Sequence, residues 1–208
     1  MAADSPWPTI HAERQALVDD VKDLSPQQWA TPSLCAPWSV REVFGHITAT
    51  ARITPPAFLA GLAKAGFRFK RMSANDVARE TAGTTDDQVA ALAGLVNAST
   101  SPPGPIDAML GEIIVHSEDI RRPLGIAHEY PVAAVTRAAD FFASSNLLIG
   151  GKSRVAGVRL TATDADWSRG SGPEVSGPAL SLVLAVTGRT VALDDLRGPG
   201  VDLLRARA

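Results

Sequence analysis

Proline, glycine and serine interrupt the first three quarters of this chain at short intervals, and between the interruptions apolar residues recur at helical spacing. A chain cut in this way predicts a stack of short helices and leaves little room for long strands. Thr9 to Leu24 sets Ile10, Leu17, Val21 and Leu24 near one face and stops at Ser25-Pro26, the pattern of a first helix. Ser25-Pro26-Gln27-Gln28 and Ser39-Val40-Arg41-Glu42 both have the form of a capping box, in which a serine oxygen and a Gln or Glu side chain satisfy amides at a helix start. Between them Pro32 to Pro37 reads as a loop. The second box opens a helix that carries His46, and Pro55-Pro56 should kink or interrupt it before Phe58 to Ala65 continue. The stretch from Gly66 to Gly83, crowded with Arg68, Lys70, Arg71 and Arg79, reads as a loop or irregular crossover, and Thr85 to Asn97 as a third helix.

After the breaker at Ser101-Pro102-Pro103-Gly104-Pro105, the segment Ile106 to Arg122 lines up Ile106, Met109, Leu110, Ile113 and Ile120, which predicts a fourth helix ended by Pro123 to Gly125. A further amphipathic stretch, Val132 to Ile149, closes at Gly150-Gly151. Beyond it the composition changes. β-Branched residues rise from Arg154 to Thr163, Gly170 to Gly177 reads as turns around a short strand, Ala179 to Val186 is an apolar run, and Thr190 to Leu193 reads as another strand. The expected organisation is a mainly α protein, with a helical domain over 1–150 and a small α/β domain over 151–208.

The 208 residues are enough to bury a sizeable core, and 45% hydrophobic with 20% charged residues is an ordinary globular balance. Twenty Lys and Arg against twenty-two Asp and Glu give a formal charge of −2, without a basic track for nucleic acid. No apolar run reaches the roughly 20 residues of a membrane span, and the polar, proline-punctuated start lacks the form of a secretory signal, so a cytoplasmic location is expected. With a single cysteine, Cys35, neither an internal disulfide nor an all-thiolate metal site can form. Nothing in the sequence chooses between monomer and homodimer.

Metal ligands, if present, must therefore come from His, Asp or Glu. Glu112 and His116 are one helical turn apart at about 100° per residue and so share a side of their helix, flanking the apolar stripe beside Met109 and Ile120. His46 holds a similar edge position beside Val43 and Ile47 on its own helix. Three ligands from two facing helices, with positions left for water or substrate, is the pattern of a catalytic ion more than of a closed structural one. Spacing alone leaves a second reading open, since a Glu-x3-His pair arises by chance and a histidine at a core edge is commonly just hydrogen-bonded.

The segment Cys35-Ala-Pro-Trp38-Ser-Val-Arg-Glu-Val-Phe-Gly-His46 resembles the first metal-ligand segment of the mycothiol-dependent maleylpyruvate isomerase-like family, a branch of the DinB-like metalloenzyme superfamily. Glu112-Ile-Ile-Val-His116-Ser-Glu-Asp-Ile-Arg-Arg-Pro-Leu-Gly125 resembles that family's second ligand segment. Thr163-Asp-Ala-Asp-Trp167, the following Gly-Pro-Glu-Val-Ser-Gly-Pro and Thr-Gly-Arg189 are similar to its smaller C-terminal domain. The resemblance implies a DinB-like four-helix bundle holding zinc or a similar divalent ion through His46, Glu112 and His116, with mycothiol as the thiol cosubstrate. It further implies a small electrophilic substrate and a transferase or isomerase reaction in which the ion activates the thiol. Pro55 to Pro105 matches no family motif, and that is where substrate choice would be encoded.

Asp119 follows His116 by three residues and is a candidate to orient it or to pair with Arg122. Arg41, Arg52, Arg68 and Arg71 are candidates for cofactor or substrate carboxylates, each with a surface role as the simpler reading. Cys35 has no histidine near it in sequence and reads as a small hydrophobe; Trp38 reads as packing, and His11 and His128 as surface residues. Gly150-Gly151-Lys152-Ser153 lacks the glycine spacing and preceding strand of a phosphate loop. Two other functions fit the same residues: a metal hydrolase using bound water, and a non-enzymatic module that senses a small molecule.

Overall fold

The structure, a computed structural model, describes residues 5–147 and 149–207; the leader-free reading of the N-terminus falls in part on 1–4, outside the described residues. The chain divides into two compact units, one ending at His128 and the other beginning at Glu129.

The first unit is helical: α1 (Trp7–Val21), α2 (Pro26–Trp29), α3 (Val40–Arg52), α4 (Pro55–Lys64), α5 (Phe69–Glu80), α6 (Thr85–Ala93) and α7 (Asp107–Leu124). Helix α7 lies against α1 and α3, and α6 lies against the same two, so α1, α3, α6 and α7 close a four-helix bundle. Its core takes in most of the stripes visible in the sequence, without Leu24 and Ile106, which are only half-buried, and adds Phe44 and Leu92. Ile10, Leu17 and Val21 from α1, Phe44 and Ile47 from α3, Leu92 from α6 and Leu110, Ile113 and Ile120 from α7 are each 2% exposed or less. Burial of one such side chain stabilises by roughly 1.5–3 kcal/mol, which is what holds short helices of middling propensity in place.

Local chemistry sets where these helices begin. Ser39 Oγ accepts the Glu42 amide at 3.4 Å and Glu42 Oε2 accepts the Ser39 amide at 2.8 Å, a closed capping box at the start of α3. A cap of this kind stabilises by about 1 kcal/mol and fixes the register that sets His46 on the face turned to α7. Thr54 accepts the Ala57 amide, so the chain restarts as α4 with Pro55 and Pro56 in its first turn, where a missing N–H costs nothing. The proline pair thus separates two helices; it does not kink one. Helix α7 stops at Gly125, whose φ of 69° is the left-handed cap that glycine adopts freely.

The stretch expected to be a crossover between Gly66 and Gly83 is instead α5. Its buried set is only Met72, Ser73 and Val77, a stripe too narrow to stand out among Lys70, Arg71 and Arg79. It packs on α3, and α4 packs on α5. The third expected helix, Thr85 to Asn97, ends at Ala93.

The second unit holds α8 (Val132–Ser144), α9 (Gly151–Arg154), β1 (Arg159–Ala162), β2 (Ser168–Gly170), β3 (Glu174–Gly177), α10 (Ala179–Val186) and α11 (Val201–Arg205). The sheet has the order β2-β1-β3, with β1 antiparallel to β2 and parallel to β3. The expected division near residue 150 falls inside this unit. Helix α8 was grouped with the bundle on its apolar stripe, but Val135, Ala138 and Ala139 are buried in a helix that packs on α10. A stripe announces that a helix is covered, not what covers it. Thr190 to Leu193, expected as a strand, lies in a 3₁₀ helix, Thr190–Asp195, in which neighbours Ala192 and Leu193 are both buried, contrary to the alternation of a strand. No helix among the described residues is long and apolar enough to cross a membrane.

Candidate metal centre

Helix packing of α3 against α7 brings His46, Glu112 and His116 to one place. His46 Nε2 lies 3.8 Å from Glu112 Oε1. The two imidazoles sit edge to face, with ring centroids 4.9 Å apart and planes at 84°. The side chains are 13%, 15% and 15% exposed, which leaves the group covered yet reachable by a small molecule.

Neighbouring side chains orient each member. Thr50 Oγ1, one turn beyond His46 on α3, donates to Glu112 Oε1. His116 Nδ1 donates to Asp119 Oδ2 at 2.8 Å, and that carboxylate is fully buried. In the neutral ring this puts the lone pair on Nε2, the arrangement by which a carboxylate fixes the tautomer of a metal-binding histidine. Ser73 Oγ of α5 stands 3.5 Å from His46 Nδ1, so the other edge of that ring is turned to Glu112. Arg122 pairs with Glu118 at 3.1 Å.

Electrostatics favour a cation here. Burial, reinforced by the neighbouring His116, pushes His46 down to about 3 despite Asp119, so its ring is neutral and able to donate a lone pair. Burial pushes Glu112 above the usual carboxylate range, against the pull of His116, Thr50 and the buried Arg14. A carboxylate held in so poorly solvated a place gains from a divalent charge beside it. Two imidazoles and a carboxylate are also the donor types that zinc takes when a coordination position is kept open for reaction. The donor types suit a divalent ion, while among the described residues the group whose ligand atoms all lie within 4.8 Å of one another is Cys35, His116 and Asp119.

Other residues fall out differently. Arg41 is committed to the fold: Nε donates to Gln88 Oε1 at 2.7 Å and Nη2 to the carbonyl of Thr81 at 2.9 Å and to that of Gly83. Arg52 meets Glu80 at 3.4 Å, while Arg68 and Arg71 are exposed. A cavity of about 480 Å³ between α3, α4 and α5 is lined by Arg52, Lys64, Met72, Asp76 and Arg79, one to two turns along α3 from His46. Trp38 lies with its ring centroid 5.1 Å from that of His46, over the site and not only at a helix entrance. His128, expected at the surface, bonds the buried Glu13 at 2.7 Å, and His11 stacks on Trp7 at 5.8 Å. Gly151–Arg154 is the short helix α9.

Thr50 and Ser73 escaped the sequence reading. Thr50 had a usable signal, four residues after His46 and so on the same face; Ser73 sits in the stretch expected to be loop. Cys35 is the sharpest difference: the fold brings its Sγ within 4.8 Å of a ring nitrogen of His116 and a carboxylate oxygen of Asp119.

The family model of the mycothiol maleylpyruvate isomerase N-terminal domain matches residues 10–101, a span that includes His46 and stops short of Glu112 and His116. Among solved structures, a histidine-to-alanine mutant of the mycothiol-dependent maleylpyruvate isomerase superposes with a TM-score of 0.65 at 12% identity, covering 93% of this chain and 91% of that one. A second structure of the mycothiol-dependent maleylpyruvate isomerase gives 0.57 at 10% identity over the same shares. At such identities the likeness is one of fold, and it extends through both units. No curated protein matches significantly. Over residues 10–101, somewhat under half of its length, the chain is similar to the mycothiol maleylpyruvate isomerase N-terminal domain.

Proposed function

We propose that this protein is a metal-dependent enzyme that joins a low-molecular-weight thiol, mycothiol by family, to a small electrophile in the cytoplasm, as a transferase or isomerase. The observation that carries the reading is the pair of facing imidazoles 4.9 Å apart with the Glu112 carboxylate 3.8 Å from one of them, inside a fold shared with mycothiol-dependent isomerases. His46, Glu112 and His116 would hold the ion. When bound, a divalent ion supplies the positive charge that strips the proton from a thiol whose unperturbed pKa is about 8.5.

The chain's own groups prepare that chemistry. Burial keeps His46 unprotonated at neutral pH, so no proton competes for its lone pair. Asp119 and Thr50 hold His116 and Glu112 in fixed orientations, and preorganised groups do not have to be ordered during reaction. Trp38 covers one side of the site and limits water around a bound substrate. The neighbouring cavity is lined by Arg52, Lys64, Asp76 and Arg79, with Arg52 paired to Glu80 and Arg79 to Asp76 and Glu80, so its charges are largely compensated within the chain.

The test is a metal analysis of purified protein beside turnover of an electrophile panel, maleylpyruvate included, with mycothiol present or omitted. The expected result is stoichiometric divalent metal, with consumption of electrophile only when both metal and thiol are supplied. Metal-loaded protein that neither binds mycothiol nor consumes any electrophile with it would end the proposal. Turnover independent of thiol would favour the hydrolase.

A further inference from the structure

The loop from Thr31 to Ser39 joins α2 to α3 and lies across the candidate centre. Its position is set by backbone bonds: the Leu34 amide donates to the Asp119 carbonyl of α7 at 3.2 Å, the Trp38 amide to the Cys35 carbonyl at 3.0 Å, and the Val40 amide to the Thr31 carbonyl at 2.9 Å. Inside this frame the Cys35 amide donates to Ser33 Oγ at 3.1 Å. One loop therefore sets two side chains over the two histidines, Trp38 at 5.1 Å from the His46 ring and Cys35 at the His116–Asp119 pair. The thiol is half-buried, and its Sγ, a His116 ring nitrogen and an Asp119 carboxylate oxygen all lie within 4.8 Å of one another.

That spacing is wider than a set of ligands closed around one ion, and near enough that a rotation of the Cys35 side chain and a small shift of the loop would bridge it. Sulfur is also the donor that a borderline-soft divalent ion prefers once it already holds imidazole nitrogen.

We propose that Cys35 is a resting-state ligand of the ion held at His116, a thiolate supplied by the chain itself that stands where the external thiol binds during turnover. This rests on the metal reading of His46, Glu112 and His116 above. Coordination forms one sulfur–metal bond and releases the thiol proton to solvent, and no group is oxidised or reduced. An incoming low-molecular-weight thiol replaces one sulfur by another, so the ion stays charge-compensated between catalytic cycles, and water is kept from the open coordination position. The loop bearing Cys35 and Trp38 then moves with thiol occupancy, uncovering both histidines together.

The sequence makes the test clean, because Cys35 is the only cysteine and every thiol or thiolate signal from the chain belongs to it. Wild type and the Cys35→Ser variant are each loaded with cobalt(II) in the absence of added thiol, and absorbance is recorded. The expected result is visible ligand-field bands in both proteins, with near-ultraviolet thiolate-to-cobalt charge transfer in wild type alone. In parallel, the rate at which Cys35 reacts with an aromatic disulfide reagent is measured with and without zinc; coordination lowers the free thiolate and slows reaction by about tenfold or more. Ligand-field bands without charge transfer, together with equal thiol reactivity in the two forms, would overturn the inference and leave the ion site standing. Failure of wild type to bind either metal would overturn both readings at once.

Discussion

The two compact units solve the problem of a core in opposite ways. Among the described residues, the helical unit buries Glu13, Arg14, Gln88, Glu118, Asp119 and Arg121 together with several hydroxyls, whereas the unit from Glu129 onward buries only Ser181 and Thr187 as polar side chains. Its central helix α10 buries seven of its eight residues, Ala179 and Ser181 to Val186, almost all apolar. Apolar burial of that kind stabilises without further conditions. A buried charge costs several kcal/mol unless it is paired, so each one in the helical unit obliges a partner. Arg121 donates to Asp20 at 2.7 Å, Glu118 pairs with Arg122, and Glu13 bonds His128. Only part of this polarity is structural pairing. Asp119 belongs instead to a cluster with the largely covered His46, Glu112 and His116 on the facing sides of α3 and α7, and a fold selected for stability alone has no reason to gather such a cluster there.

The contrast is most directly broken at His116. In the His116→Ala variant the bound ion is expected to fall to background by metal analysis, and thiol-dependent turnover to vanish, while far-ultraviolet circular dichroism keeps the helical signal. A variant that retained its ion would reduce the polar cluster to another structural pairing. The matching change in the other unit is Leu182→Ala, at a site with no exposure. It is expected to cost about 2–5 kcal/mol in urea unfolding, through lost transfer energy and the cavity left behind. Ion content per folded chain should not move.

These variants also mark what the sequence can reveal. Apolar stripes and capping boxes were legible because they are local: a Ser39–Glu42 box or an Ile113–Ile120 stripe is written within a few residues. Glu112 and His116 were legible for the same reason, being one turn apart on one helix. The α5 helix was hidden by its charged exposed faces, and the grouping of α8 by the fact that a stripe does not name its partner. The nearness of Cys35 to the centre was not legible because its neighbours are tertiary. The His116 it meets is far along the chain, and a Leu34–Asp119 backbone bond ties the two segments together.

A smaller effect is expected one step away from the ion. Asp119→Asn keeps shape and removes the charge that fixes His116, and chelator competition should show an ion bound about 10–100-fold more weakly. Acidification probes the same polarity in ion-free protein. His46 titrates near 3 in the folded chain and near its ordinary 6.5 when unfolded, so between those values the unfolded state binds the extra proton. Stability is therefore expected to fall as pH drops from about 6.5 towards 3, by at most about 1.4 kcal/mol per pH unit from this one group. His46→Gln should flatten that part of the profile; an unchanged slope would mean that other groups carry it.

The finest comparison pairs two hydroxyls in equivalent local settings. Thr50 Oγ1 lies 2.9 Å from its own helix's Ile47 carbonyl and also donates to Glu112, while Thr187 Oγ1, among the described residues, bonds within its own helix, to the Val183 and Leu184 carbonyls at 3.0 Å. Replacement of either by valine preserves the branched shape and deletes a bond worth about 0.5–1.5 kcal/mol, so the two variants should lose similar stability. They should part company at the ion. Thr50→Val frees the Glu112 carboxylate to turn, and a loss of the same size in orientation weakens ion binding by about 2- to 13-fold. Thr187→Val has no carboxylate to release, and its ion affinity should equal that of wild type. Equal affinities in all three proteins would mean that Glu112 is held by the ion and its buried surroundings alone, with the threonine serving only its helix.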